Sequence, residues 1–193
     1  MSLHRHFIIY KPIGYLSQFI HNEQKRRNKK MLGELHHFPE GTMSIGRLDK
    51  NSEGLLLLTT DGKVSFDVRQ KSVEKEYFVQ CDGLITDEAI DLLKKGVEIR
   101  LKLSHYTTLP CAARKIDIQQ EMELAPGRHR GEEHGPTSWV SITITEGKFR
   151  QVRKMTAAVG FPTLRLIRVR IGNLHLNGLK PGAVLEVDAF DYC

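Results

Sequence analysis

Cysteine is scarce in this sequence, with three residues among 193, Cys81, Cys111 and Cys193. They are far apart, odd in number and form no Cys-x-x-Cys pair. A disulfide framework and a cysteine-based zinc site are therefore both excluded as expectations. A reduced, cytoplasmic setting follows from that usage. Long apolar runs are also missing. The longest, GLLLLTT at 54–60, suits a buried strand and falls far short of the roughly 20 residues that cross a bilayer. The start, MSLHRHFIIYKP, has no signal-peptide stretch, so a soluble protein is expected. The nine histidines make no metal signature. His36-His37, and His129 with His134, have no carboxylate or cysteine beside them at a ligand spacing, and no metal is expected.

What the sequence does have is a modest excess of positive charge. Lys plus Arg outnumber Asp plus Glu by 29 to 23, for a net charge of +6 and a pI near 9.3. That excess favours a polyanionic partner, though only weakly by itself. Hydrophobic residues at 40% of the chain are enough for a buried core. The length fits one domain, or one domain of two lobes, with no internal repeat and no linker that would separate independent domains.

The chain reads as short strands mixed with helices. Residues 6–10 form a strand stopped by Lys11-Pro12 and the Gly14 turn, and residues 15–20 form a second extended piece. The charged run at 25–30 has no apolar anchor and is an exposed loop. Residues 44–48 enter a turn over 49–54, and 55–60 return as a strand. A short helix at 64–70 follows, then a strand at 76–81 with Tyr77 and Val79 on one face and Phe78 and Gln80 on the other. Thr86 caps a helix running to Lys95 and closed by Gly96. Residues 121–136 form a polar surface loop. Val140, Ile142 and Ile144 alternate as a half-buried strand. Phe149, Val152, Met155 and Val159 fall at helical spacing, with Gly160 ending that helix. Strands at 164–171 and 183–187 complete the chain. Without regular β–α alternation, the fold class is α+β, with a mixed, mostly antiparallel sheet and flanking helices.

The most informative segment is GRLDKNSEGLLLLTTDG at 46–62. It places a carboxylate, Asp49, in a glycine-bounded turn directly before a strand that must be buried. Such a turn can hold the carboxylate at the edge of a core. Two further blocks stand out: KEYFV at 75–79 and TEGKFRQVRKM at 145–155. In this order they resemble the GRLD-x-x-[TS]-x-G-LLLLT-x-DG turn, the K-x-Y-x-V strand and the EG-[RK]-x-RQVR-[RK]-M helix of the RsuA-like ribosomal RNA pseudouridine synthases. The likeness runs from YKP at 10–12 to about Val187. Ser52 stands where Thr is commoner, and Thr60 where Asn is frequent. PTSW at 136–139 and VGFPTLRLIR at 159–168 point to the members that act on the large ribosomal subunit, and so to 23S RNA. The strand at 6–10 follows the start directly, so the S4-type RNA-binding domain that many relatives carry in front is not expected.

The resemblance implies the pseudouridine synthase catalytic fold, with an active-site cleft between two lobes, as one catalytic domain over 1–193. It implies Asp49 as the catalytic carboxylate, which either attacks the ribose C1′ or takes the C2′ proton; the sequence leaves both routes open. Tyr77 would stack on the base and relay the C5 proton, and Arg153 would pair with Asp49. Lys75 would support the pocket, Ile167 or Leu166 would wall the uracil, and Arg47, Lys148 and Arg150 would hold substrate. No cofactor is implied, because the isomerisation neither adds nor removes atoms. For RNA binding, the resemblance and the basic clustering together point to Lys25, Arg26, Arg27, Lys29, Lys30, Lys154, Arg165, Arg168 and Arg170. The expected partner is ribosomal RNA, without metal or membrane, and the expected state is a monomer.

Two rival readings are open. A non-catalytic ribosome-assembly factor on the same fold predicts damage at Asp49, Tyr77 or Arg153, and all three are intact. A glycoside hydrolase would use Asp49 and Glu53 as its carboxylate pair. A single tryptophan is a poor lining for a sugar cleft.

Overall fold

The apolar run near the start forms β1 (His6–Lys11), all six residues of which are buried. The structure, a computed structural model, describes residues 4–20, 29–70, 72–125 and 134–192. These fall into two units, one of residues 1–73 with 168–193, the other of residues 74–167.

In the first unit, β2 (Tyr15–Leu16) pairs in parallel with β3 (Lys30–Met31). After β4 (Met43–Ile45) comes β5 (Glu53–Thr59), buried along its whole length, and then α1 (Gly62–Gln70). β1 lies antiparallel to β5, with Phe7 opposite Leu58 and Ile9 opposite Leu56. Cross-strand partners share a face, so these four side chains form one apolar patch. With Leu32 they make a core cluster against which Phe19, Leu35, Phe38 and Val184 pack. Truncating a fully buried leucine such as Leu56 to alanine costs about 2–5 kcal/mol. Gly54 opens β5 with φ of +107°, and a side chain there would run into the Arg168 backbone. Only glycine meets both demands.

In the second unit, β6 (Lys75–Asp82) leads to α2 (Asp87–Lys95). The Thr86 side chain accepts the Ala89 amide, and Gly96 ends the helix at φ +95°, the cap pattern expected from sequence. β7 (Glu98–Arg100) and β8 (His105–Thr107) form a small antiparallel ribbon. β9 (Ala112–Ile116) and α3 (Ile118–Glu121) precede β10 (Thr137–Ile144). β10 lies between β6 and β9, antiparallel to both. α4 (Gln151–Ala158) and β11 (Thr163–Ile171) follow, and the division between units falls inside β11, after Ile167. Back in the first unit, β12 (Leu174–His175) pairs with β11, and β13 (Val184–Val187) pairs with β1.

The fold class is as expected: helices with a mostly antiparallel sheet. Two local expectations, at residues 15–20 and at Phe149, are corrected. Only Tyr15 and Leu16 of residues 15–20 are strand. β6 carries Tyr77 and Val79 on one face and Phe78 and Gln80 on the other as expected, and both faces are buried from Tyr77 through Cys81. The sequence leaves β7, β8 and β9 unmarked, because each is only three to five residues long. Phe149 does not anchor α4; it precedes the helix and is 73% exposed. Of the polar loop expected at 121–136, Glu121 closes α3 and residues 126–133 lie outside the described residues. No described helix is long and apolar enough to cross a membrane.

Candidate active site

Asp49 sits, half-buried, in the turn between β4 and β5. The turn is held from both ends. On the incoming side, the Ser17 hydroxyl donates to the Leu48 carbonyl and accepts the Leu48 amide, both at 2.9 Å. Past the aspartate, Gly14 N–H donates to the Lys50 carbonyl at 2.7 Å and Ser52 N–H to the Asp49 carbonyl at 3.0 Å. Leu48 and Ser52, either side of it, are buried. A carboxylate on a turn tied at three successive residues keeps its aim.

Lys11 is the second feature of this unit, and sequence patterning did not single it out. Its side chain is fully buried at the end of β1, with Nζ donating to the carbonyls of Pro12 at 2.9 Å and Tyr15 at 2.8 Å. Burial pushes the ammonium down to about 7, against the upward pull of Glu53 and Asp49 and with a further downward push from Arg168. Two donated bonds are what a neutral amine can supply, so the geometry suits the uncharged form. Lys11 ties the 12–15 loop together, and Gly14 of that loop holds Lys50. The one available signal was a lysine inside an otherwise apolar strand. For Ser17 there was none.

Glu53 is 4% exposed, and its Oε2 accepts the Tyr10 hydroxyl at 3.0 Å. A carboxylate enclosed in this way cannot activate a water against a sugar, which removes the glycoside hydrolase reading. Arg47 is exposed and lines an open pocket of about 380 Å³ with Arg69, Ser44, Thr42 and Phe19.

The other candidates belong to the second unit. Tyr77 lies on β6 opposite Ile142 and is 8% exposed. Lys75, two residues earlier, donates from Nζ to the Thr145 carbonyl at 3.1 Å. Arg153 is half-buried in the first turn of α4, with Nη1 at 3.5 Å from the Thr163 carbonyl. Lys148 and Arg150 are exposed before α4, Lys154 is half-buried on it, and Leu166 and Ile167 are buried on β11.

The turn into α4 is built around Glu146. Its carboxylate accepts the Tyr106 hydroxyl at 2.6 Å, the Leu109 amide at 2.9 Å and the Gln151 side-chain amide at 2.5 Å. Gln151 in turn accepts the Lys148 amide at 2.9 Å through Oε1. The hydrogen bond to Glu146 raises the Tyr106 phenol above its ordinary value.

Not all of the basic residues expected between 148 and 170 to bind RNA are open to solvent. Arg165 and Arg168 are 3% and 4% exposed. Arg165 Nη2 donates to the Ala125 carbonyl at 3.2 Å and Arg168 Nε to the Leu55 carbonyl at 2.7 Å. Guanidiniums buried against carbonyls brace strands, and phosphate cannot reach them. Arg170 is half-buried, with Nη1 donating to the Gly172 carbonyl at 3.0 Å. Lys29 is half-buried and Lys30 exposed, whereas Lys25, Arg26 and Arg27 lie outside the described residues. Among the described residues, no cluster of three or more His, Cys, Asp or Glu could hold a metal. His129 and Cys193 lie outside those residues. Burial pushes the Cys81 thiol up to about 12 and the Cys111 thiol up to about 11, so neither is a nucleophile near neutral pH.

Residues 5–158 match the family model described as RNA pseudouridylate synthase. The chain belongs to the RNA pseudouridylate synthase family. It is an isomerase that turns uridine in RNA into pseudouridine. Among its relatives, the protein named Ribosomal large subunit pseudouridine synthase E of Vibrio vulnificus (strain CMCP6) is 40% identical over 190 residues. That alignment covers 95% of this synthase and 75% of the relative. The protein of the same name from Xanthomonas axonopodis pv. citri (strain 306) is 40% identical over 177 residues, 90% of this chain and 89% of the relative. A solved structure described as a pseudouridylate synthase superposes with a TM-score of 0.75 at 23% identity. It covers 97% of this synthase and 71% of that chain, a likeness of fold.

Proposed function

We propose that this synthase isomerises one uridine of large-subunit ribosomal RNA, the 23S RNA, with Asp49 as its catalytic carboxylate. The observation that carries the substrate is identity of 39–40% over 90–95% of the chain to four enzymes named for that subunit. What supports the role of Asp49 is its turn, in which Leu48, Asp49 and Lys50 each bond through the backbone, to Ser17, Ser52 and Gly14.

The reaction breaks the N1–C1′ bond and forms a C5–C1′ bond. N1 gains the proton that C5 loses, so atoms and electrons balance without an external reagent. Asp49 opens the sequence by attacking C1′, which leaves a covalent ribosyl ester, or by removing the C2′ proton, which leaves a glycal. The detached uracil turns so that C5 faces C1′. Tyr77 supplies a ring face for the base and a phenol to carry the C5 proton. Arg153 orients the Asp49 carboxylate and favours its ionised form. Lys75 supports the pocket, and Ile167 or Leu166 walls the uracil. Arg47, Lys148 and Arg150 hold substrate, with Lys154, Lys29 and Lys30 on flanking phosphates. The target must leave its stack to reach the carboxylate, which favours a loop or weak helix. We place the enzyme in the cytoplasm, acting as a monomer.

Tritium release from ribosomal RNA containing 5-tritiated uridine tests the reading. The synthase releases one equivalent per RNA, and cells lacking it miss a single pseudouridine in 23S RNA. No release from any ribosomal RNA, free or in assembling particles, overturns it.

A further inference from the structure

The turn that feeds α4 displays an aromatic ring where a folded core would hide one. Phe149 is 73% exposed. A lone exposed apolar side chain is ordinary, but this one has three unusual features.

First, its position is locked. Arg150, next in the chain, has φ +54° and ψ +36°, the left-handed region that a residue with a side chain enters at a cost. Gln151 holds it there, with its amide on the Lys148 carbonyl at 3.0 Å and its Oε1 accepting the Lys148 amide at 2.9 Å. Glu146 then pins the Gln151 side chain. Phe149 rides on a closed turn and is not a fraying end.

Second, cations lie beside the ring, although the Lys148 ammonium itself sits over Tyr106, 4.8 Å from that ring's centroid. Lys148 and Arg150 flank it in sequence and are exposed, and Lys154 Nζ, one turn into α4, lies 5.3 Å from the ring centroid. No acidic residue lies between Lys148 and Lys154 in the sequence.

Third, the segment leads into the helix that carries Arg153. An open aromatic face among cations is how proteins hold single-stranded nucleic acid, with the base on the ring and its phosphates on the charges.

We propose that Phe149 is a stacking platform for an unpaired base of the substrate RNA near the target uridine, with Lys148, Arg150 and Lys154 engaging the adjoining phosphates. The inference rests on the synthase reading above and adds a contact that specifies where RNA lies on the second unit. Stacking tolerates any base, so this contact holds a strand without choosing its sequence.

The test separates a ring from mere bulk. Phe149→Ala raises KM for tritium release from ribosomal RNA about tenfold, the order expected for one stacked base, while kcat stays within about twofold. Phe149→Tyr and Phe149→Trp retain the wild-type KM, whereas Phe149→Leu, apolar without a π face, behaves like alanine. In the Phe149→Trp protein, an oligouridylate quenches the new indole more than one of the same length whose residues are abasic. Unchanged KM in Phe149→Ala, a wild-type KM in Phe149→Leu, or equal quenching by the abasic strand each overturns the proposal. All of these substitutions are at an exposed position, so folding is not at stake. If the wild type releases no tritium, the synthase reading has failed; if it does and Phe149→Ala matches it, only the platform has.

Discussion

The Ser17 hydroxyl closes a two-way clamp on Leu48, giving a hydrogen bond to its carbonyl and taking one from its amide, both at 2.9 Å. Ser17 is itself buried, and the Ser44 hydroxyl donates to its carbonyl at 3.1 Å. The residue after Leu48 is Asp49, the carboxylate proposed to be catalytic. Ser17→Ala leaves two buried backbone groups without this partner, at a cost of about 1–3 kcal/mol each. Turnover is expected to fall about 10- to 100-fold with KM nearly unchanged, because the clamp governs aim and not RNA contact. Steady-state tritium release beside urea unfolding separates the two effects.

Asp49→Asn keeps the size and most of the hydrogen-bonding capacity of the side chain and removes its charge. Tritium release is expected to fall to background while RNA affinity stays within about twofold. Substantial release by this variant would assign the carboxylate's role elsewhere.

Arg153→Lys keeps the charge but loses the planar fork. If the proposed pairing with Asp49 holds, orientation of that carboxylate suffers more than its ionisation, so kcat is expected to drop about tenfold or more with little change in RNA affinity. Arg153→Met should be worse in kcat. Equal losses in kcat and affinity would make Arg153 a phosphate contact instead.

Lys11 titrates at about 7 in the folded protein and near its ordinary 10.5 when unfolded. Between those values the unfolded chain binds more protons, so this group makes stability rise with pH. Below pH 7 the amine is charged in both states and its contribution is flat. Unfolding free energy of the wild type relative to Lys11→Met should therefore climb from pH 7 to about 10, at no more than about 1.4 kcal/mol per pH unit. Urea titrations at pH 6, 8 and 9.5 measure it; a difference that is constant or falling with pH refutes the buried neutral amine.

Glu146 holds the Tyr106 hydroxyl at 2.6 Å and raises that phenol's pKa. Glu146→Gln removes the charge, and the Tyr106 titration should move back down toward its ordinary 10. Ultraviolet titration of phenolate absorbance, with Tyr106→Phe to identify the signal, reads the shift.

Elements whose residues carry their own local signal were legible in the sequence. Thr86 and Gly96 mark the two ends of α2 by hydrogen bonding and by φ. The LLLL run has the length and flanking turns of a buried strand, and β5 is one. The turn that holds Asp49 was visible because its glycines and its apolar flank are contiguous. Position 149 misled because periodicity reports spacing, and Phe149 falls in phase with Val152 and Met155 while preceding the helix. A left-handed residue at Arg150 breaks the phase, and no helical pattern announces it.

The sequence by itself determined the family, the α+β class and the candidate carboxylate, because those depend on contiguous motifs and local chain preferences. Tertiary structure alone decided what each charged side chain does. Arg165 and Arg168 look the same as Lys148 and Arg150 in the sequence, yet the first two are enclosed against carbonyls and the other two face solvent. Lys11 becomes a half-titrated brace at about 7 only because the fold buries it beside two carboxylates and an arginine. Burial and partner are set by residues distant along the chain, and a charge means nothing chemically until its solvent and its neighbours are known.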